Sequence, residues 1–153
     1  MTITPAPSPG LQLRQARSGD LPAIHRIAQS VFPQPWPAGV FDQYLGRPGF
    51  LVAEDGAVVG YIVADMVDSR DRTLGHVKDL AVRADRRREG IASGLLSRAL
   101  EVLSARVDSV KLEVRAGNSG AIDLYRRHGF SYRRRLDGYY ANGEDALVLV
   151  RPV

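Results

Sequence analysis

The strongest constraint on the fold is a change of hydrophobic pattern between residues 50 and 114. Apolar residues first occur in short strand-like runs separated by turn signals, the clearest of which is Asp55-Gly56-Ala57. From Gly90 to Arg106 they recur every three or four residues, as on one face of a helix, and the strand-like pattern then returns. Strands followed by a helix and a further strand predict a mixed α/β sheet with helices packed against it.

Similar patterns extend this architecture towards both ends of the chain. Asp20 is placed to cap a helix, and Gly129 to end one. The predicted order is β-α-α-β-β-β-α-β-α-β-β, with about seven strands in a central sheet. We expect one domain over residues 11–153 and a flexible Pro-rich segment at residues 1–10. The predicted elements are Leu11–Ala16, Leu21–Val31, Ala38–Leu45, Phe50–Glu54, Val58–Met66, Thr73–Val82, Gly90–Arg106, Ser109–Val114, Ser119–His128, Phe130–Leu136 and Asp145–Val150.

The composition excludes several classes of protein. The 153 residues include no cysteine, which removes disulfides, iron–sulfur ligation and thiol nucleophiles. The three histidines lack the H-E-x-x-H spacing, so no metal cofactor is expected. No apolar run approaches the ~18 residues of a membrane span, and the first ten residues contain no basic residue of the kind that begins a signal peptide. We therefore expect a cytoplasmic protein that does not associate with membranes.

Arginine is concentrated in two segments, although the net charge is only +4. Residues 83–88 contain four arginines, and residues 126–135 contain five. Such clusters favour an anionic ligand, either the phosphate groups of a small molecule or a nucleic acid. The P-loop pattern is absent, which argues against a nucleoside triphosphatase.

The first arginine cluster ends where a predicted strand leads into the longest predicted helix. Gly90 allows the backbone to approach a ligand closely, and a helix start presents unpaired N–H groups with a positive dipole end. A pyrophosphate fits such a site, with arginines adding charge-assisted contacts. The alternative interpretation is an ordinary helix start with solvated arginines.

Three separated motifs resemble one known family. Residues 80–92 (LAVRADRRREGIA) resemble the acetyl-CoA-binding motif of the GNAT acetyltransferase superfamily. Residues 112–118 (LEVRAGN), with 121–125 (AIDLY) and Gly129-Phe130, resemble its second signature. Residues 138–146 (GYYANGEDA) resemble the tail of RimI-type and archaeal protein N-terminal acetyltransferases. The motifs occur in the family's order and cover most of residues 75–150, whereas residues 11–66 fit only in outline.

The resemblance implies a GNAT fold and acetyl-CoA as cosubstrate. In such a fold the backbone around residues 80–82, in the predicted strand Thr73–Val82, would bind the pantetheine arm and the thioester oxygen. Asn118 would bond to the arm as well as capping its helix. The residues implied in binding acetyl-CoA are Leu80, Ala81, Val82, Arg87, Arg88, Glu89, Gly90, Ile91, Ala92, Ser93, Asn118 and Tyr125.

Glu113 is the leading candidate for the general base. Strand alternation places it on the face opposite Val110, Leu112 and Val114, and glutamate is unfavourable within a strand. An ion pair on an exposed sheet face is the alternative. A glutamate with an ordinary pKa near ~4.3 is a weak base, so we expect it to act through a water molecule or with a raised pKa. His76, whose side-chain type suits proton transfer near neutral pH, is a candidate accessory base or a simple strand-end histidine.

Tyr125 is the candidate general acid, because a phenol can protonate a departing thiolate of ordinary pKa ~8.5. Plain core packing is the alternative for its ring. The resemblance also implies that Tyr139 and Tyr140 hold the first residues of a substrate peptide, although adjacent tyrosines also occur as hairpin packing. Phe32 and Trp36 are candidates for the opposite wall of that site.

The resulting prediction is acetyl transfer from acetyl-CoA to the N-terminal amine of a protein, with a ribosomal protein among the candidate substrates. The absence of cysteine excludes an acetyl-cysteine intermediate and favours a direct ternary complex. An α-amine with a pKa of ~8 is about one-tenth neutral at pH 7, whereas a lysine with a pKa of ~10.4 is neutral about once in 2,500. The alternatives are acetylation of a small amine or of lysine side chains, and an RNA-binding module. Nucleic acid is disfavoured because stacking aromatics are mostly missing from the arginine clusters.

Overall fold

The computed structural model describes residues 10–153, so the predicted flexible segment at residues 1–10 lies, except for Gly10, outside the described residues. The described chain forms seven strands and four α-helices in the predicted order. The strands are β1 Gln12–Gln15, β2 Phe50–Glu54, β3 Val58–Ser69, β4 Arg72–Val82, β5 Ser109–Arg115, β6 Ser131–Leu136 and β7 Ala146–Pro152. The helices are α1 Leu21–Val31, α2 Ala38–Asp42, α3 Ile91–Ser104 and α4 Ser119–Arg127.

All the strands belong to one sheet with the order β1-β2-β3-β4-β5-β7-β6. Every neighbouring pair is antiparallel except β4 and β5, which are parallel because α3 connects them. The predicted mixed α/β sheet with flanking helices is confirmed. Of the helices within residues 10–153, none has the length and hydrophobicity needed to cross a membrane.

The parallel pair β4 and β5 separates soon after it forms. Hydrogen-bonded register covers only Gly75–Val77 against Val110–Leu112. Just beyond Val77, a β-bulge in β4 leaves Lys78 without a register partner on β3. The second half of β4 therefore pairs with β3 alone, and a gap opens between β4 and β5.

Each face of the sheet has its own hydrophobic cluster. On one face α3 buries Leu95, Leu96 and Ala99 completely against the central strands. On the other face α1 and α2 cover Phe50 and Tyr61, which are also fully buried. Full burial of a leucine or phenylalanine contributes about 1.5–3 kcal/mol, so both layers anchor the strands that border the gap.

The start of α1 differs from the sequence prediction in one detail. Asp20 directly precedes the helix, but its carboxylate makes no capping bond to α1. It accepts hydrogen bonds from the Arg17 N–H and from the guanidinium of Arg14, each at 2.8 Å. Arg14 also pairs with Glu54 at 3.0 Å, so Asp20 joins the start of α1 to the edge of the sheet.

Candidate active site

A cavity of about 520 Å³ lies where β4 and β5 separate. Its lining comes from these two strands, from α4, from the loop between α1 and α2, and from the turn between β6 and β7. It brings together the predicted catalytic and substrate-binding residues with part of the predicted acetyl-CoA site: Phe32, Trp36, His76, Leu80, Glu113, Asn118, Tyr125, Tyr139 and Tyr140.

Glu113 and His76 form a direct pair in this cavity. The Glu113 Oε1 lies 2.7 Å from the His76 Nε2, and both side chains are largely buried. The other carboxylate oxygen, Oε2, lies 3.6 Å from the Nζ of Lys111. The pairing follows from the strand register, which places His76 opposite Lys111, two residues before Glu113.

The surroundings of Glu113 determine its protonation. Burial raises the pKa of its carboxyl, but the hydrogen bond and charge of His76, together with the charge of Lys111, outweigh burial and hold the pKa below its ordinary value. The expectation of a raised pKa is therefore wrong, and the carboxylate stays ionised at neutral pH. Because His76 and Glu113 share a hydrogen bond, a proton accepted here is shared between the two side chains.

The ring of Tyr125, on α4, packs edge to face against the ring of Phe130, with the ring centres 5.8 Å apart. Burial, followed by the charges of Asp79 and Tyr140, raises the pKa of its phenol well above the ordinary value. The hydroxyl therefore remains protonated at neutral pH and is available as a hydrogen-bond donor. Its transfer of a proton to a thiolate is less favourable than that of an ordinary tyrosine.

Asn118 serves as the N-cap of α4. Its side-chain oxygen accepts the N–H of Ala121 at 3.2 Å, and the same residue lines the cavity. The capping role predicted for Asn118 is confirmed.

The start of α3 has the geometry of an anion site. Gly90 has φ +79° and ψ +10°, a left-handed conformation that favours glycine. The first regular bond joins the Gly94 N–H to the Gly90 carbonyl, so the N–H groups of Ile91, Ala92 and Ser93 have no partner within the helix. The glycine turn and the free N–H groups fit a diphosphate.

The arginines before α3 divide into two groups. Arg83 pairs with Asp85, whereas Arg86 pairs with Asp55 and with the predicted ligand Glu89. Arg87 and Arg88 are exposed and make no ion pair with any residue that the structure describes. These two are therefore the arginines of the cluster that can contact phosphate without losing an existing partner.

Aromatic side chains line another part of the cavity. Trp36 packs against Phe41 and Tyr44 at ring distances of 5.2 and 5.7 Å. Tyr139 and Tyr140 lie edge to face at 5.0 Å. The structure thus brings the residues predicted to bind substrate, from two separate loops, to one cavity.

Arg115, which was not among the predicted site residues, connects those two loops. Its guanidinium lies 3.9 Å from the centre of the Tyr140 ring and pairs with Glu144 at 3.0 Å. It also donates to the side-chain oxygen of Gln34 at 3.4 Å. The sequence signal was strand alternation, which puts Arg115 on the same face as Glu113.

Asp79 is the second site residue that sequence reasoning missed. Its Oδ2 accepts the hydroxyl of Tyr61 at 2.8 Å, and its Oδ1 accepts the Leu80 N–H at 3.1 Å. Burial raises the pKa of Asp79 to about 6, although both hydrogen bonds act in the opposite direction. The available signal was an acidic residue inside the otherwise apolar end of a strand. Within residues 10–153 no group of histidine and acidic side chains is arranged to hold a metal ion.

Comparison with known proteins agrees with this geometry. Residues 21–130 match the family model described as "Acetyltransferase (GNAT) family". An N-alpha-acetyltransferase of Saccharolobus solfataricus is 35% identical over 92% of this chain and 92% of its own. The [ribosomal protein bS18]-alanine N-acetyltransferase of Escherichia coli is 31% identical over 88% of this chain and 92% of its own. A chain of the NatC complex bound to Gag peptide and CoA is similar in structure, with a TM-score of 0.86 at 25% identity, over 94% of this chain and 98% of that chain.

Proposed function

Because this chain belongs to the acetyltransferase (GNAT) family, we propose that it moves the acetyl group of acetyl-CoA to the N-terminal α-amine of a protein. The observation that carries the proposal is the Glu113–His76 pair, 2.7 Å apart, in a cavity that opens at the strand gap and is walled by aromatic loops. Relatives along nearly the whole chain are named N-alpha-acetyltransferases, which supports the same acceptor.

The reaction joins the amine nitrogen to the acetyl carbon and breaks the carbon–sulfur bond. An α-ammonium must lose one proton before attack and a second as the amide forms, while the CoA thiolate gains one. The balance is one proton released for each amide and CoA formed. In our proposal the Glu113–His76 pair accepts a proton from the amine, directly or through a water molecule.

We assign to Tyr125 the stabilisation of the leaving CoA thiolate. Its hydroxyl is held protonated by burial and lines the same cavity as the catalytic pair. A hydrogen bond from this phenol would stabilise the developing negative charge on sulfur. The thiolate would then take its proton from Tyr125 or from water, and burial of the phenol favours the hydrogen bond over complete transfer.

Acetyl-CoA is assigned to the opening between the strands and to the start of α3. The free N–H groups of residues 91–93 and the exposed Arg87 and Arg88 would hold the diphosphate. Leu80 and Asn118 line the same cavity as the catalytic pair, and in our proposal they contact the pantetheine arm.

The acceptor peptide is assigned to the aromatic wall. Phe32, Trp36, Tyr139 and Tyr140 line the cavity, and Arg115 ties their two loops together. The relative from Escherichia coli is named for an alanine N-terminus of ribosomal protein bS18. A ribosomal protein is therefore the first candidate substrate to test.

The experiment compares three peptides based on one sequence that contains an internal lysine. One peptide has a free α-amine, a second is blocked by a formyl group, and a third is free but has its internal lysine replaced by glutamine. Release of CoA is the measured rate. We expect the first and third peptides to react equally and the blocked peptide to be inert.

Two outcomes would reject the proposal. Equal rates for the blocked and free peptides would assign the activity to lysine. Faster turnover of free amino acids or polyamines than of any peptide would make the protein a small-amine acetyltransferase. Glu101→Gln, an exposed substitution on α3, is the matched control for protein preparation.

A further inference from the structure

Asp79 lies inside the cavity but has no part in the mechanism above. It is one of two acidic residues that line the cavity, and the other is Glu113. Glu113 lies beside the imidazole of His76 and the ammonium of Lys111, whereas Asp79 makes no ion pair with any residue in the described range 10–153. A partly buried carboxyl with no ion-pair partner requires a separate explanation.

The direction of the N–H groups along β4 decides which of them face the gap. The Arg83 N–H donates to the Val59 carbonyl on β3. Successive N–H groups of a strand point to opposite sides, so Ala81 also donates towards β3 while Leu80 and Val82 point into the gap. Within the predicted backbone site at residues 80–82, the N–H of Ala81 is therefore directed away from the gap.

The Leu80 N–H is the gap-facing donor in the cavity, and Asp79 Oδ1 already occupies it at 3.1 Å. A thioester oxygen that binds this N–H must displace that carboxylate oxygen or share the site with it. An ionised carboxylate beside a developing oxyanion is repulsive. A protonated carboxyl at the same place is an additional donor.

We propose that Asp79 takes up a proton when acetyl-CoA binds and then donates a hydrogen bond from its carboxyl to the thioester oxygen. This inference rests on the proposed function. Tyr61, which is fully buried on β3, donates its hydroxyl to Asp79 Oδ2 at 2.8 Å. The proton is therefore assigned to Oδ1, whose present contact is the Leu80 N–H at 3.1 Å. The proton comes from solvent and returns there when product leaves, so it does not alter the overall balance of the reaction.

The surroundings support a protonated Asp79. Burial is the largest influence and raises the pKa of Asp79 to about 6, within reach of protonation when a ligand excludes further water. Other titratable and charged groups face Asp79 or the cavity from every surrounding element. They are Tyr61 on β3, His76 and Lys78 on β4, Glu113 and Arg115 on β5, Tyr44 after α2, Tyr125 on α4, and Tyr139 and Tyr140 on the turn between β6 and β7.

The test measures proton uptake by titration calorimetry at about pH 7.5, in two buffers with different ionisation enthalpies. Acetyl-CoA should bind with uptake of about one proton, whereas CoA, which has no thioester oxygen, should bind with markedly less. Asp79→Asn should remove the difference between the two ligands, and the exposed control Asp71→Asn should keep it.

Turnover provides a second readout. Asp79→Ala should lower kcat about 100-fold, in line with the loss of a single oxyanion donor. Asp79→Asn should recover at least tenfold of that loss, because its amide N–H can still donate. An Asn variant as inactive as the Ala variant would show that the carboxylate is required and would overturn the inference.

The calorimetry also separates this inference from the proposed function. Acetyl-CoA that binds the parent protein without proton uptake would overturn the role of Asp79 and leave the acetyltransferase proposal intact. Absence of binding by both CoA and acetyl-CoA would contradict the proposed function itself.

Discussion

Glu113 and Asp79 line the same cavity from neighbouring strands, yet their carboxyl groups meet different surroundings. Glu113 faces His76 and Lys111, and the hydrogen bond to His76, together with the charge of Lys111, holds the pKa of Glu113 below its ordinary value despite its burial. Asp79 faces a tyrosine hydroxyl and a backbone N–H without a cation, and burial raises its pKa to about 6. Carboxyls whose pKa values are moved apart in one site are suited to different proton-transfer tasks. The comparison assigns proton acceptance to the Glu113 side and hydrogen-bond donation to the Asp79 side.

The largest expected effect comes from removing the charge of Glu113. Glu113→Gln should lower kcat about 100-fold or more, since general-base catalysis typically contributes 10²–10⁴-fold. The dissociation constant for CoA should change less than about twofold, because the start of α3 is untouched. Initial rates and calorimetry measure the two quantities. An unchanged kcat would remove Glu113 from the catalytic pair.

The Asp79 side of the comparison can be examined without any substrate. The folded-state pKa of about 6 exceeds the ordinary 3.8, so the parent loses stability as pH rises from about 4 to about 6. Asp79→Asn has no such loss. Its free energy of unfolding relative to the parent should therefore rise across that window by about 2 kcal/mol.

Urea unfolding at pH 4 and pH 7 measures this difference. Glu113→Gln is the matched comparison, because the lowered pKa of Glu113 stabilises the fold above its ordinary titration range. The free energy of unfolding of Glu113→Gln relative to the parent should fall as pH increases through the region below about 4.5. The same pH trend in both variants would contradict the proposed difference between the two carboxyls.

Tyr125→Phe should have an intermediate effect. The ring keeps its packing against Phe130, so stability should change little, whereas loss of the hydroxyl should lower kcat about tenfold. Single-turnover rates with acetyl-CoA and peptide report this step. Tyr132→Phe, which alters an exposed tyrosine on β6, is the control and should keep the parent rate.

The smallest effect is expected at Lys111. Its ammonium lies 3.6 Å from Glu113 and is more than one-third exposed, so its charge is partly screened. Lys111→Gln should raise the pKa of Glu113 slightly and change kcat by less than about threefold. A pH–rate profile measures this, and a 100-fold loss would mean that Lys111 contacts the reacting atoms directly.

Much of the fold was predictable because its signals are local. The hairpin around Asp55-Gly56-Ala57, the helix after Gly90 and the cap at Asn118 each depend on residues within a few positions of one another. The side of β5 that carries Glu113 follows from simple alternation. The predicted capping bond from Asp20 to α1 is absent because the Asp20 carboxylate accepts a hydrogen bond from Arg14 on β1 and makes none to the adjacent helix.

The candidate site was predictable only in part, because its electrostatics depend on distant partners. The sequence identified Glu113 but not the sign of its pKa shift, which is set by His76 through the register of β4 and β5. It also grouped the four arginines of residues 83–88 as one cluster, and it gave no sign that Arg86 pairs with Asp55, far away in the sequence. Asp79 was missed because its side-chain partner, Tyr61, lies on the neighbouring strand β3, 18 residues away in the sequence.

The most direct test of the central claim uses one peptide that offers both kinds of amine. A peptide with a free N-terminal alanine and one internal lysine is mixed with excess enzyme and isotopically labelled acetyl-CoA for a single turnover, and tandem mass spectrometry locates the label. The account predicts label on the α-nitrogen in the parent and its loss in Glu113→Gln. Label on the lysine Nε, or on neither nitrogen, would contradict it.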